Sequence, residues 1–159
     1  MDLPKEVTEM DDLRTAVMEW GRDGFCCSQI MLLAGLAYTG RENPDLVAAM
    51  NGLCRGGYSP GCTCGALTGA CALLGFYAGK AEPWEPKNPE LPLMANELHE
   101  WFRKNLGVNG EGVTCGELMG GKTAYSIETC LPIVFGTLEK ALAILQAHGC
   151  DLQQGRPGS

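Results

Sequence analysis

The residues with the clearest chemical potential are cysteines, of which the chain has nine. Three of them lie in one glycine-rich run, GCTCGALTGACALLG, at residues 61–75. Cys64 closely follows the loop RGGYSPG and stands at the predicted start of a helix, where unpaired amides and the helix dipole favour a thiolate over a thiol. A thiolate binds metals, attacks disulfides and, through iron, transfers electrons. The run therefore predicts metal or redox chemistry.

The small residues of this run leave one face of the predicted helix nearly without side chains. Gly65, Gly69 and Ala72 recur at intervals of three and four residues, which places them on one face. Such a face lets a second backbone or a cofactor come unusually close. The sequence leaves open whether the face serves helix packing alone.

The cysteines lie among segments with helical spacing of apolar residues, and no segment alternates as a strand does. We predict an all-α, single-domain bundle of five or six helices with glycine-rich connecting loops over residues 1–150. Residues 151–159 have the composition of a disordered tail. Irregular connections are predicted at 54–63 and 107–124. The predicted helices run from about Met10 to Trp20, Cys26 to Tyr38, Pro44 to Leu53, Cys64 to Ala78, Leu93 to Gly107, and from a first turn at Pro132 to Gly149.

The bulk composition argues against several classes of function. The net charge of −7 makes nucleic acid and an anionic membrane surface unsuitable partners. The apolar piece at residues 66–78 is too short to span a membrane. No Walker, GxGxxG or GxSxG sequence is present, so nothing supports a nucleotide enzyme or a hydrolase.

The cysteine count and the N-terminal residues predict the compartment. The segment MDLPKEVTEM lacks the basic and apolar regions of a secretory signal. Nine is an odd number, so at least one thiol stays outside intramolecular disulfides. We therefore expect a reducing, cytoplasmic environment, where clustered cysteines usually serve metal or redox chemistry.

Four of the cysteines stand in contexts that resemble a known family. The segment CGALTG at residues 64–69 is similar to the CGAxxG signature of the redox-active proteins named C_GCAxxG_C_C, which are related to the cysteine-rich domain of split-Soret cytochromes. The other matching contexts are Cys27-Ser28-Gln29, Cys115 before Gly-Glu-Leu-Met-Gly, and Cys130 before the last predicted helix. The resemblance covers most of the chain. It implies a redox-active protein with four characteristic cysteines and does not fix the reaction.

Physical reasoning supports the same four residues. Cys27, Cys64, Cys115 and Cys130 each lie near a predicted helix start or in a glycine-rich loop, so a compact bundle can bring them together. Four cysteines can hold an iron–sulfur cluster. Structural zinc also takes four ligands but usually draws them from CxxC pairs, which this chain lacks. The leading hypothesis is an electron-transfer protein with an iron–sulfur cluster as cofactor and a redox protein as partner.

Other hypotheses stay open on the sequence. The same cysteines could work in pairs as a thiol–disulfide oxidoreductase, so whether the protein is an enzyme is undecided. A zinc- or copper-binding protein also fits, as does a helical protein with inert buried thiols and no cofactor. A homodimer that shares a cofactor at its interface is a further option.

The remaining cysteines receive separate interpretations. Cys62, which forms a CxC pair with Cys64, and Cys54, which ends the third predicted helix, are additional candidate metal ligands. Cys71 is assigned to the core. Cys26 and Cys150 are interpreted as incidental, Cys26 because its side chain diverges from that of its neighbour.

Overall fold

Helices form all of the regular structure in the residues that the structure, a computed structural model, describes, which are 7–121 and 126–159. The predicted all-α class is confirmed, because these residues contain two isolated bridges and no strand. They form eight helices, more than the five or six predicted, since two are single turns that leave no periodic pattern. The helices are α1 (Met10–Arg22), α2 (Cys27–Thr39), α3 (Pro44–Asn51), α4 (Cys54–Gly57), α5 (Gly65–Ala78), α6 (Glu90–Leu106), α7 (Cys115–Leu118) and α8 (Ile127–Ala147).

Both single-turn helices lie inside the connections predicted to be irregular. The first connection contains α4 and the second contains α7. Residues 122–124 of the second connection lie outside the described part of the chain. In α4 the backbone is kinked, because Arg55 and Gly56 have φ angles of 54° and 70°, in the left-handed region.

The centre of the bundle is the contact between α2 and α5. Every residue of α2 from Cys27 to Ala37 is buried, and α5 packs against α2, α6 and α8. A Cβ atom at Gly69 would lie 2.7 Å from the Cα atom of Ser28, so the two backbones approach more closely than a side chain would permit. The nearly bare face of α5 therefore serves helix packing at this point.

The last helix begins earlier than the sequence predicts. α8 starts at Ile127, after Ser126, whose hydroxyl accepts a hydrogen bond from the Thr129 N–H at 3.4 Å. The prediction that Pro132 occupies the first turn is therefore wrong, because the serine cap sets the start and the proline is accommodated one turn later. As a consequence Cys130 lies within the first turn of α8 instead of before the helix.

One segment of α8 has the length and composition of a membrane span. Glu128–Ala147 passes that test, but the core helix of a water-soluble bundle passes it as well. In this fold Val134, Leu138 and Leu142 are buried, and α8 packs against α5 and α6. The segment is therefore weak evidence for a span.

The C-terminal residues are turns that pack on the bundle, whereas their composition predicts a disordered tail. The buried Tyr77 hydroxyl donates to the Leu152 carbonyl at 2.8 Å, and Arg41 donates to the Gln154 carbonyl at 3.2 Å. Arg156 pairs with Glu85. Backbone carbonyls accept two of these bonds, so the composition of the tail does not reveal them.

His148 links the end of α8 to α6 through two carboxylates. Its Nδ1 lies 2.6 Å from Glu90 Oε2 and its Nε2 lies 3.4 Å from Glu97 Oε2. The pKa of His148 is raised from 6.5, first by the hydrogen bond to Glu90 and then by Glu97, against the opposing effect of desolvation. A raised folded-state pKa means that the contact stabilises the fold fully below the unfolded pKa, and that this contribution is lost as pH rises through the folded pKa.

We expect the free energy of unfolding to fall more between slightly acidic and slightly alkaline pH in the wild type than in His148→Gln. Urea unfolding at about pH 5.5 and about pH 8.5, on either side of the ordinary histidine pKa of about 6.5, measures the difference. If the free energy of unfolding of His148→Gln changed with pH as much as that of the wild type, the stabilising role of His148 would be contradicted.

Candidate functional site

Four cysteines from four separate elements line one small cavity. The cavity has a volume of ≈ 20 Å³. Its cysteines are the four that the sequence singles out, and the rest of the lining is mostly apolar. The lining residues are Cys27, Cys64, Gly65, Ala66, Cys115, Leu118, Met119, Cys130, Ile133 and Val134. The structure thus brings the four predicted cysteines together, while their role as cofactor ligands stays a prediction.

The start of a helix positions each of these side chains. Cys27 is the first residue of α2, and Cys64 is the residue that directly precedes α5. Cys115 is the first residue of α7, and Cys130 lies in the first turn of α8. Four helices therefore point their N-terminal ends at a common place.

Two loops run side by side and hold Cys64 next to Cys115. The Cys64 N–H donates to the Val113 carbonyl at 2.8 Å, and the Cys115 N–H donates to the Cys62 carbonyl at 3.0 Å. These bonds flank an antiparallel bridge between the two loops. A third bond, from the Gly116 N–H to the Pro60 carbonyl at 2.8 Å, extends the pairing. Backbone pairing, and not side-chain packing, therefore fixes these two cysteines.

A capping box orients the short helix that carries Cys115. The Thr114 hydroxyl accepts a hydrogen bond from the Glu117 N–H at 3.2 Å, and the Glu117 carboxylate accepts from the Thr114 N–H at 3.0 Å. Two N–H groups at the helix start are satisfied in this way. The arrangement gives a four-residue helix a defined direction despite its length.

Gly65, the first glycine of the CGAxxG segment, makes room for Cys27. A Cβ atom at Gly65 would lie 2.6 Å from the Cys27 Sγ and 2.6 Å from the Leu53 carbonyl oxygen. Any side chain at this position would therefore displace the thiol or the backbone before α4. The glycine is what allows Cys27 to reach the same cavity as Cys64.

The thiols in the cavity resist ionisation. Burial raises the pKa of Cys64 to about 12, although the N–H groups of Ala66 and Leu67 oppose the shift. The prediction that the helix start makes Cys64 a thiolate is therefore wrong for the bare protein, because desolvation outweighs the helix amides.

The other three thiols follow the same pattern. Burial raises the pKa of Cys130 to about 11, with smaller contributions from Cys27 and Cys115. Burial also raises the pKa of Cys27 and of Cys115. At Cys27 the N–H groups of Arg55 and Ser28 act in the opposite direction. Mutual repulsion adds to desolvation here, so several thiolates can coexist only with a cation among them.

The donor set of the cavity consists of sulfur atoms. Four cysteines can ligate an iron–sulfur cluster or a structural zinc ion, and Met119 adds a thioether whose Sδ accepts a hydrogen bond from the Cys130 thiol at 3.3 Å. The sequence did not predict a role for Met119, because an apolar residue four positions after Cys115 carries no signal for a site. The neighbouring side chains Leu118, Ile133 and Val134 carry no competing polar group.

The positions of the four thiols do not by themselves form a metal site. No three Cys, His, Asp or Glu side chains in residues 7–121 and 126–159 are placed to hold one metal ion. The cavity of ≈ 20 Å³ between the four thiols has room for about one water molecule. Binding of a metal ion or a cluster would therefore require the sulfur atoms to move.

The two additional candidate ligands do not reach the cavity. Cys62 is exposed on the outer side of its loop. Cys54 is buried but forms a disulfide with Cys26, with their Cα atoms 5.9 Å apart. Neither residue lines the cavity.

The structure corrects the interpretation of Cys26 as incidental. Its disulfide partner is 28 residues away, a separation that carries no local signal in the sequence. Cys71, which was assigned to the core, is half-buried and its Sγ lies 3.4 Å from His99 Nε2. Cys150 is half-buried as well. Cys26 is therefore the residue whose chemistry the sequence did not reveal.

Comparison with known proteins agrees with the four-cysteine geometry. Neither a curated protein nor a solved structure matches the chain. A family model described as "Putative redox-active protein (C_GCAxxG_C_C)" matches residues 25–144, well over half of the chain and a range that includes all four cysteines of the cavity. The chain belongs to this C_GCAxxG_C_C family of redox-active proteins.

Proposed function

We propose that the protein transfers electrons through an iron–sulfur cluster held by Cys27, Cys64, Cys115 and Cys130. One observation carries the proposal, namely that four thiols from four separate elements line a single, mostly apolar cavity. Inert thiols have no reason to collect at one point from α2, α5, α7 and α8. A cluster supplies one-electron chemistry when bound, which matches the redox character of the family.

The electrostatics of the cavity favour a positively charged occupant. Burial raises the pKa of each of the four thiols, so together they cannot ionise in the bare protein near neutral pH. Iron removes this obstacle, because its charge stabilises the thiolates that ligate it. We expect the four protons to be released when the cluster binds.

Backbone amides around the sulfur atoms would stabilise the ligated state. Burial raises the pKa of Cys27, and the N–H groups of Arg55 and Ser28 oppose that rise. The N–H groups of Ala66 and Leu67 oppose the rise in the pKa of Cys64 in the same way. Hydrogen bonds of this kind to cluster ligands tune the reduction potential. The apolar residues Leu118, Ile133 and Val134 would exclude water from the same place.

The direct test is to purify the protein without oxygen after expression in iron-supplemented medium, and to measure iron, acid-labile sulfide and zinc per chain. We expect iron and sulfide in similar amounts, with visible absorbance that decreases when dithionite is added. Stoichiometric zinc without iron would contradict the cluster and leave a zinc-binding protein. Metal-free protein in which all four thiols can be alkylated would contradict any metal at this site.

A further inference from the structure

Cys26 and Cys54 form a disulfide outside the four-cysteine cavity. It joins the residue before α2 to the first residue of α4, with a Cα–Cα distance of 5.9 Å. Both sulfur atoms belong to residues that do not line the cavity. The pair is therefore a separate chemical feature, which the proposed cluster does not use.

The two ends of this disulfide differ in accessibility. Cys54 is 1% exposed, whereas Cys26 is half-buried at the surface. Phe25, Gln29 and Asn51, which flank the pair, also line an open groove between α2 and α3. Cys26 is therefore the more accessible end of the disulfide for an external thiolate. This asymmetry distinguishes an attacked sulfur from a leaving sulfur.

The surroundings of Cys54 are suited to the reduced state as well as to the oxidised one. Asn51 Oδ1 lies 3.3 Å from the Cys54 Sγ and accepts a hydrogen bond from the Tyr58 hydroxyl at 2.7 Å. With the disulfide open, the Cys54 thiol can donate to this same oxygen. With the disulfide closed, the tyrosine still satisfies the oxygen. Neither state leaves the amide oxygen of this exposed side chain without a donor.

The Ser28 hydroxyl lies beside the disulfide, close to both sulfur atoms. Its hydroxyl oxygen is 3.4 Å from the Cys26 Sγ and 3.5 Å from the Cys54 Sγ, and it donates a hydrogen bond to the Met50 carbonyl at 2.7 Å. The Cys26 N–H is held by Gln29 Oε1 at 3.2 Å. These bonds do not include the S–S bond, so they can hold the backbone around both cysteines when the two sulfur atoms separate.

We propose that Cys26 and Cys54 form a second redox site, a disulfide that oxidises external dithiols by exchange. One thiolate of the dithiol attacks the Cys26 Sγ, a mixed disulfide forms, and Cys54 leaves as a thiolate that takes up a proton from solvent. The second thiolate of the dithiol then attacks the sulfur of the mixed disulfide that came from the dithiol, and Cys26 leaves as a thiolate that is protonated in turn. The dithiol loses two electrons and two protons to become a disulfide, and the protein gains two thiols.

The alternative is a structural disulfide that only braces the fold. In the reducing compartment that the sequence predicts, most disulfides are catalytic or redox-sensing. The unequal exposure of the two cysteines adds a reason specific to this chain, because a disulfide that only braces the fold does not need one accessible end.

The test is to equilibrate the full chain with mixtures of reduced and oxidised dithiothreitol, alkylate the thiols, and locate the alkylated cysteines by fragment-ion mass spectrometry. We expect Cys26 and Cys54 to become reduced together in one two-electron transition, with the helical circular dichroism unchanged. A disulfide that is reduced only after unfolding in urea would overturn the proposal. Iron content is read separately, so a failure of the cluster does not affect this result.

Two variants then test the direction of attack with oxidised glutathione as the probe. Cys54→Ser should accumulate a glutathione mixed disulfide at Cys26, since the resolving thiol is missing. Cys26→Ser should react at Cys54 at least about tenfold more slowly, because that thiol is buried. Cys150→Ser is the control and should behave as the wild type. Equal labelling of Cys26 and Cys54 would overturn the assigned roles, and if a variant does not fold, the wild-type titration decides.

Discussion

Serine in place of Cys64 is expected to reduce the iron bound per chain by at least roughly tenfold. Changes to groups that merely support metal ligands already lower affinity by about 10–100-fold, and Cys64 is proposed as a ligand itself. Cys64 is 9% exposed and burial raises the pKa of its thiol to about 12, so a bound cation would stabilise its thiolate. A serine hydroxyl ionises less readily than a thiol and binds iron more weakly. Iron and sulfide analysis after anaerobic purification measures the loss.

The control for this substitution lies two residues away in the same loop. Cys62→Ser changes an exposed thiol that is outside the cavity, and it should retain the wild-type iron content. Circular dichroism shows whether the helices of each variant are intact. If Cys64→Ser does not fold, Cys115→Ser tests the same idea at a half-buried position. Equal iron in Cys62→Ser and Cys64→Ser would exclude the assigned site.

The convergence of the four cysteines could be predicted because each lies near a sequence signal for a helix start or a loop. Glycine-rich loops and helix starts are local signals, and they correctly placed Cys27 at the start of α2 and Cys64 next to α5. The ionisation of Cys64 could not be predicted in the same way. The sequence reveals the helix amides, whereas the desolvation that outweighs them depends on what α7 and α8 place over the thiol.

The Cys26–Cys54 disulfide shows a second limit of sequence reasoning. Its two residues meet because α3 packs against α2, and because the single-turn helix α4 begins with Cys54 beside the start of α2. Neither feature has a periodic pattern. The cysteine that the sequence interprets as incidental is thus one that the tertiary structure places in a disulfide.

The two glycines of the CGAxxG segment have different physical roles, although they lie on one face of α5. Gly65 leaves space for a thiol and a carbonyl oxygen, and Gly69 leaves space for the backbone of α2. A side chain at Gly65 would disturb the Cys27 thiol directly, whereas a side chain at Gly69 would act through the packing of α2 on α5. Substitution at Gly69 is therefore the more informative test of how the helix packing positions the site.

We expect Gly69→Ala to lower the free energy of unfolding by about 2 kcal/mol. The new Cβ would lie 2.7 Å from the Ser28 Cα and 3.1 Å from the Ser28 carbonyl oxygen, so α2 and α5 must separate. Overpacking a rigid contact costs about 1–3 kcal/mol or more, and the better helix propensity of alanine returns about 1 kcal/mol. Because Ser28 follows Cys27, the same displacement should also lower iron binding. Urea unfolding and iron analysis of one preparation measure both effects.

Gly75→Ala supplies the matched comparison, because it changes the same residue type in the same helix without a steric conflict. No atom lies within 4 Å of the position that its Cβ would take. Only the better helix propensity of alanine should then affect stability. The free energy of unfolding of the variant should exceed that of the wild type by up to about 1 kcal/mol. Gly69→Ala should therefore be less stable than the wild type and Gly75→Ala more stable. The free energies of unfolding of the two variants should differ from each other by about 3 kcal/mol. If Gly69→Ala were as stable as Gly75→Ala, the close contact between α2 and α5 would not be what holds Cys27 beside Cys64.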